Sequence, residues 1–196
     1  MMNGPMPSPI GHALAGVAIA WMTEEPNSTA QAKKPAIGTM TIVCATLAVF
    51  PDIDLLYRPI HRTATHSLLA AVLTTIVAAG VTRWVTGRVG WRMAIACGLA
   101  YASHIVLDWM GADASVPYGI QALWPFNDRW FVTPWAIFPG TERRDIFAAW
   151  SILANLRALA AELLILGPWV AVLWFRRTRR SRGPTSVPDD QPQPSA

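Results

Sequence analysis

Charged residues are scarce in this 196-residue chain. Only 14% of its residues are Asp, Glu, Lys or Arg, and 53% are apolar. Soluble domains carry roughly 25% charged residues, so this chain lacks the charge that would cover a soluble surface. The net charge of +4 does not indicate nucleic-acid binding, because the basic residues are spread between apolar segments. That distribution is typical of the residues that set the orientation of a membrane protein.

Cysteine and histidine are also rare. Cys44 and Cys97 lie within apolar runs, at no metal or redox spacing, and we predict that they are buried packing residues. A disulfide or a ligand role is the alternative. The four histidines lie at the ends of apolar runs beside carboxylates, in SPIGHALAG, PDIDLLYRPIHRTATHS and ASHIVLDW. Imidazole and carboxylate are the usual ligands of Zn²⁺ and similar divalent ions, so the sequence predicts a metal site at a membrane face.

Five apolar segments predict the fold. They cover residues 9–22, 36–50, 64–85, 91–109 and 158–175. About 20 residues are needed to cross a ~30 Å hydrocarbon core, which the last three provide and the first two approach. We predict an all-α integral membrane protein of about five transmembrane helices, formed by residues 1–176. Residues 177–196, rich in Pro and Ser, are predicted to be a disordered cytoplasmic tail.

Basic residues predict the orientation. With five alternating spans, one face receives ten Lys and Arg residues and the other receives five, namely Arg58, Arg62, Arg129, Arg143 and Arg144. The richer face is assigned to the cytoplasm. The N-terminus and all the histidine clusters then lie outside, and the C-terminus lies inside. A cleaved signal peptide is the alternative for the first segment, but no Lys or Arg precedes it.

Two motifs carry the chemistry. His104 and Asp108 are four residues apart on one helical face and can bind the same ion, although a hydrogen-bonded His and an interfacial Asp are the plain alternative. Asp52 and Asp54 follow Pro51 in irregular backbone, where one can be a ligand while the other orients water. A surface loop with ion pairs is the plain alternative for these two.

The loop after these aspartates supplies the remaining candidates. We predict that His66, at the start of the third helix, is a ligand. His61, in the loop, is predicted to contact the substrate or to support a ligand. Arg62, and less directly Arg58, are predicted to neutralise a phosphate through paired hydrogen bonds.

The motifs SPIGH, PDIDL, HRTATHSLL and SHIVLD, followed by GIQALWPF, resemble the YdjM-like bacterial inner-membrane metal-dependent hydrolases over most of residues 8–138. That family is in turn remotely similar to zinc-dependent phospholipase C and the S1/P1-type nucleases. The resemblance implies a ligand set of His12, Asp52 or Asp54, His66, His104 and Asp108. Those enzymes use further histidines after the last pair. This chain has none, which favours one or two ions, with zinc the leading candidate.

Two features lie outside these motifs. The aromatic segment, residues 111–150, holds four Trp and four Phe residues broken by prolines. We predict that it is a lid in the outer interface, with a simple membrane anchor as the alternative. Glu162 lies inside the fifth apolar segment and needs a partner, for which Arg157, Asn155 or a polar group of another helix are candidates.

The function predicted from these residues is metal-dependent hydrolysis of a phosphoester in a lipid or lipid-linked substrate. Asp52, His61 and Arg62 are the candidate catalytic residues beside the ligands His12, Asp52, Asp54, His66, His104 and Asp108. A metal-binding or transport protein without hydrolytic activity is the main alternative, although Glu162 is nearly the only polar candidate deeper in the spans. A structural anchor whose aromatic segment binds a protein partner is the third.

Overall fold

The computed structural model describes residues 6–24, 37–113, 117–143 and 145–180. Within these ranges the chain is helical, with two isolated β-bridges and no extended strand. Two 3₁₀ segments, Phe50–Ile60 and Ala64–His66, join the second α-helix to the third. The described α-helices are α1 (Pro9–Thr23), α2 (Thr39–Val49), α3 (Leu68–Thr86), α4 (Trp91–Trp109) and α5 (Ala149–Arg180). The all-α prediction is confirmed for these residues.

Serine caps fix the start of two helices. Ser8 precedes α1 and accepts a hydrogen bond from the Gly11 N–H at 3.1 Å, while Pro9 occupies the first helical position. Ser67 precedes α3 and accepts from the Ala70 N–H at 3.2 Å. Such caps satisfy N–H groups that have no partner inside the helix. His66 therefore lies just before α3, in the second 3₁₀ segment, instead of inside the helix.

Three of the described helical stretches are long and apolar enough to cross a membrane: Thr39–Tyr57, Leu68–Thr86 and Ala149–Arg179. With 15 residues, α1 extends only about 22 Å at 1.5 Å per residue. With 19 residues, α4 is long enough but carries Arg92, His104 and Asp108. The prediction of five spans is therefore not confirmed, because two of the helices are too short or too polar by this measure.

The last helix differs most from its predicted extent. The apolar run predicted residues 158–175, whereas α5 covers Ala149–Arg180. Residues 177–180 of the predicted tail are thus helical, and residues 181–196 lie outside the described part. Of the fifteen basic residues counted for the orientation, Lys33, Lys34, Arg144 and Arg182 also lie outside it, as do the side chains of Arg58 and Arg180.

α1 and α5 pack side by side and run in the same direction. At one end, the fully buried Glu162 accepts hydrogen bonds from the Ser8 N–H at 2.5 Å and from the Ser8 hydroxyl. At the other end, Arg177 pairs with Glu24. Glu162 thus finds its partner at the cap of α1 instead of at Arg157 or Asn155. A Cβ on Gly11 would lie 2.7 Å from Glu162 Oε2, so the glycine permits this approach.

Small residues let α1, α2 and α4 pack closely. Ala20, Cys44, Ala96 and Ala100 are all fully buried in one cluster. A Cβ on Gly16 would lie 2.8 Å from the Cβ of Ala48, so a larger residue would push α1 and α2 apart. Cys44 is buried and free, as is Cys97, which confirms their prediction as packing residues.

The aromatic segment lies at the end of the bundle where α3 begins and α4 ends. The Leu68 N–H donates to the Ala122 carbonyl at 2.9 Å, and the Thr133 N–H donates to the Trp109 carbonyl at 3.1 Å. Within the segment Ile120 is buried, whereas Phe126 is 85% exposed. The segment is therefore attached to the bundle by its backbone. It buries Phe138 and exposes Phe126 and Trp135.

Candidate metal centre

Four side chains from three parts of the chain converge at this end of the bundle. Each offers a nitrogen or oxygen atom, and these atoms all lie within 4.8 Å of one another. Both histidines are fully buried and Asp108 is 7% exposed. The group consists of Asp52, His66, His104 and Asp108. The first 3₁₀ segment carries Asp52, the second ends at His66, and α4 supplies the last two on one face, as their four-residue spacing predicts.

The two histidines point the same nitrogen into the group. His104 Nδ1 lies 2.8 Å from the Ala48 carbonyl oxygen, so Nδ1 must donate there. His66 Nδ1 lies 3.1 Å from Asp54 Oδ2, which also accepts. In the neutral imidazoles both Nε2 atoms then carry lone pairs, and they face each other at 3.1 Å. Two facing lone pairs repel unless a cation or a proton lies between them.

The spacing of these atoms suits a small divalent cation. Asp108 Oδ2 lies 3.1 Å from His66 Nε2 and 3.2 Å from His104 Nε2. Asp52 Oδ1 is farther away, at 3.9 and 3.8 Å from the same nitrogens. Ligands about 2.0–2.1 Å from a tetrahedral Zn²⁺ are separated by about 3.3 Å. The histidines and Asp108 match that spacing, and Asp52 needs only a small inward movement.

Buried polar atoms without hydrogen-bond partners point to the same place. Among the described residues they are both side-chain oxygens of Asp52 and of Asp108, and both ring nitrogens of His12. An unsatisfied buried polar group costs about 1–3 kcal/mol. A bound cation would satisfy buried polar atoms of this kind, so six of them in one cluster indicate a cation site.

His12 borders the group on the opposite side of Asp108. Its Nε2 lies 3.3 Å from Asp108 Oδ1, while the other oxygen of Asp108 faces the two histidines described above. The His12 ring stacks on that of His104, with centroids 3.9 Å apart. Asp108 therefore lies between two sets of imidazole nitrogens, an arrangement that can hold one ion with His12 nearby or bridge two.

Asp54 lies behind the group and is not one of its four members, so its role as a ligand stays a prediction. Its Oδ1 lies 2.6 Å from His61 Nδ1, and its Oδ2 accepts from the Arg62 N–H at 3.1 Å and from the Thr65 hydroxyl. Since Oδ2 also contacts His66, both oxygens are engaged. Such a carboxylate orients a ligating histidine and raises its basicity. His61 thus contacts a neighbour of His66, and both of its predicted roles, supporting a ligand and contacting the substrate, stay predictions.

The charges around His66 change its proton affinity. Burial by itself lowers the pKa of His66, but the contacts with Asp108 and Asp54 outweigh burial and raise the pKa to about 9. A metal ion needs the unprotonated imidazole, so the raised pKa favours a proton over a metal ion at His66. Proton and metal ion are expected to compete for this place.

Arg62, which is predicted to neutralise a phosphate, is paired with other residues of the chain. Its Nη1 lies 2.6 Å from Asp113 Oδ2, its Nε lies 3.2 Å from Met6 Sδ, and its side chain is 7% exposed. The residue adopts a positive φ of 66°. Arg143 Nη2 lies 3.5 Å from Asp52 Oδ2. Neither Asp113 nor Arg143 was singled out from the sequence, because both lie in the irregular segment between α4 and α5.

Comparison with known sequences adds one match. A sequence model of the YdjM inner membrane protein family matches residues 6–180. No curated protein and no solved structure shows significant similarity to the chain. The matched range contains every residue of the buried group and all five described α-helices.

Proposed function

Since the chain belongs to the YdjM inner membrane protein family, we propose that it is a membrane-bound, metal-dependent hydrolase. Its proposed substrate is a phosphoester in a lipid or lipid-linked molecule. The apolar helices place the protein in the membrane, where such substrates are available. The resemblance of the His and Asp order to zinc-dependent phospholipase C and the S1/P1-type nucleases supports the choice of reaction.

The convergence of His66 Nε2, His104 Nε2 and Asp108 Oδ2 is the observation that carries this proposal. Their mutual distances of 3.1 to 3.2 Å suit a bound cation. Asp52 would complete the set, and His12 would contact the ion or a second one through the far side of Asp108. Imidazole and carboxylate donors together suit zinc. When bound, the ion would lower the pKa of a coordinated water to near 7 and stabilise charge on the phosphoryl oxygens.

The surrounding residues divide the remaining tasks. Asp54 accepts hydrogen bonds from several donors and so is suited to holding His66, not to taking a proton from water. Asp52 makes no hydrogen bond among the described residues, which leaves it able to orient a water molecule. His61 is 17% exposed in its side chain and is the histidine of the site that solvent and substrate can reach. We assign it a proton-transfer or substrate-contact role.

A transport function has less support. A translocation route needs polar groups along the depth of the membrane. Glu162 is the buried carboxylate within α5, and it is engaged by Ser8 at the cap of α1. Its role is therefore to hold α1, and with it His12, against α5.

Metal content and hydrolysis measured side by side test the proposal. The full chain is purified in detergent, its metal content is determined by elemental analysis, and phospholipid and other phosphoester substrates are screened. His66→Ala and His104→Ala are each expected to lose metal and activity together. His61→Ala is the matched control, since it should keep most of the metal and lose turnover.

Two results would contradict the proposal. Purified protein without a transition metal that also binds none on addition would exclude the metal site. Full metal content in both the His66 and the His104 variant would exclude the assigned ligands. If His61→Ala removes the metal as completely as His104→Ala does, the separation of ligand from supporting residue is wrong.

A further inference from the structure

We propose that Arg143 binds the anionic phosphoryl oxygen of the substrate beside the metal centre. This inference rests on the proposed hydrolase function and specifies its substrate as a phosphate ester that carries a negative charge. Arg143 then takes the role that the sequence suggested for Arg62.

The position of Arg143 is suited to this role. Its Nη2 lies 3.5 Å from Asp52 Oδ2, and its side chain is 21% exposed while that of Asp52 is 9% exposed. The guanidinium thus lies between solvent and the buried group. Tight guanidinium–carboxylate pairs have N–O distances of about 2.7–2.9 Å. The longer contact is a loose ion pair, and a guanidinium offers five N–H donors, more than this contact uses.

The backbone at Arg143 is held on two sides. Asn155 of α5 accepts from the Glu142 N–H at 2.6 Å and donates to the Glu142 carbonyl at 2.9 Å. Both the N–H and the hydroxyl of Thr141 donate to the Met6 carbonyl, at 2.8 and 2.9 Å. The residues before Arg143 are therefore fixed to α5 and to the chain that leads into α1. Asn155 is a positioning residue in this arrangement.

Arg62 is a poorer candidate because it is already paired. Its contact with Asp113 is 2.6 Å long, and both side chains are almost completely buried. Breaking a buried pair leaves an uncompensated charge and is strongly destabilising. A substrate anion would have to displace Asp113 to reach Arg62, whereas it needs only to replace a loose contact at Arg143.

The charge balance of the site calls for a cation in this position. A divalent ion bound by two neutral imidazoles, Asp52 and Asp108 has its charge balanced by the two carboxylates. An anionic phosphate ester would bring an additional negative charge into a partly buried site, which is unfavourable unless it is paired. Arg143 supplies the balancing charge at the exposed side of Asp52. A neutral ester would bring no negative charge for Arg143 to balance.

Phosphate binding to the zinc-loaded, full-length protein in detergent tests the inference. Inorganic phosphate and phosphatidate in mixed micelles are titrated separately by calorimetry against wild type, Arg143→Ala, Arg143→Lys and Arg129→Ala. Arg129 is an exposed arginine of the aromatic segment and controls for the loss of one positive charge. Arg143→Ala is expected to weaken phosphate binding at least tenfold, because one charge-assisted hydrogen-bond contact is lost. Arg143→Lys should recover part of it, and Arg129→Ala should match wild type.

The two titrations identify the source of the phosphate. A loss with phosphatidate alone supports a lipid-borne ligand, and a loss with inorganic phosphate alone supports a small soluble one. A loss with both supports the shared phosphoryl contact. Asn155→Ala is expected to weaken phosphate binding in the same direction at unchanged metal content, which general unfolding would not do.

Failure of this inference can be distinguished from failure of the proposed function. If Arg143→Ala binds both ligands as tightly as wild type at equal metal content, Arg143 does not bind the phosphate, and the metal-site proposal is unaffected. An equal loss in Arg129→Ala would also overturn it, because the effect would then be one of net charge. If wild type binds no metal, both proposals fail.

Discussion

Replacing Asp54 by Asn is expected to weaken metal binding without abolishing it. Asp54 contacts His66 Nδ1 at 3.1 Å and His61 Nδ1 at 2.6 Å, but lies outside the group of converging donors. If the amide oxygen of Asn occupies the position of Oδ2, it can still accept from the Arg62 N–H and the Thr65 hydroxyl. The amide nitrogen then faces His61, whose tautomer can adapt. The fold is therefore expected to survive while the negative charge behind His66 is lost.

The size of the effect follows from that geometry. Removing a hydrogen-bonded carboxylate behind a ligating histidine typically lowers metal affinity 10- to 100-fold. We expect a decrease of about that size for Asp54→Asn, whereas His66→Ala removes a donor atom and should leave no high-affinity binding. Zinc dissociation constants, measured by competition with a chromophoric chelator, distinguish these cases. Glu142→Gln, which neutralises a carboxylate outside the group, is the control.

Two outcomes would refute the reasoning. If Asp54→Asn loses zinc as completely as His66→Ala does, Asp54 is itself a ligand, as the sequence first suggested. If the zinc dissociation constant is unchanged, the carboxylate does not act through His66. In either case the melting temperature of the variant must remain close to that of wild type, so that metal lost through unfolding is not mistaken for a direct effect on metal binding.

Three further predictions concern pH, stability and topology. The pKa of His66 is raised to about 9, so its proton must leave when a metal ion binds. Zinc affinity should therefore rise by up to about tenfold per pH unit and level off above pH 9. A zinc affinity that does not change between pH 6 and 8 would contradict this. Glu162→Ala leaves both donors of Ser8 without their buried acceptor and should reduce the free energy of unfolding by about 1–3 kcal/mol. Glu162→Gln keeps one acceptor oxygen and should reduce it less. Equal melting temperatures for wild type and Glu162→Ala would exclude a stabilising role for this contact. A reporter fused after Arg180 should be active on the cytoplasmic side, and a periplasmic signal there would reverse the proposed orientation.

Local sequence patterns were sufficient to predict much of the helical framework. Trp91–Trp109 coincides with the predicted fourth segment, because the apolar run there is bounded by Gly90 and by the turn at Met110. α1 was predicted to within one residue, since Pro9 and the Ser8 cap mark its start. The start of α5 was not predictable in the same way, because Asn155 and Arg157 interrupt the apolar pattern before residue 158. Asn155 is accommodated in the helix by its contact with Glu142, and Glu162 by its contact with Ser8. Ser8 is more than a hundred residues away from Glu162 along the chain.

Spacing along one helix also predicted part of the site. His104 and Asp108 share a face because they are four residues apart, and their contact of 3.2 Å follows from helical geometry alone. The division between Asp52 and Asp54 is different. They are two residues apart, and nothing in the sequence tells them apart. In the structure Asp52 lies on the Nε2 side of His66 and His104, whereas Asp54 lies on the Nδ1 side of His66, beside His61. Residue type and local spacing fit either choice equally well, with Asp52 as the ligand or with Asp54 as the ligand.

The two arginines show why residue type alone could not identify the anion-binding group. Arg62 follows the histidine loop and so lies close to the site along the chain, yet Asp113, 51 residues later, holds its guanidinium at 2.6 Å. Arg143 is 91 residues after Asp52, but the contacts of Thr141 and Asn155 bring it to the exposed side of that carboxylate. What distinguishes them is the acceptor that each guanidinium already has, and long-range packing determines this. An arginine near a predicted metal site is therefore a substrate-binding candidate only after the carboxylates that pair with it are known.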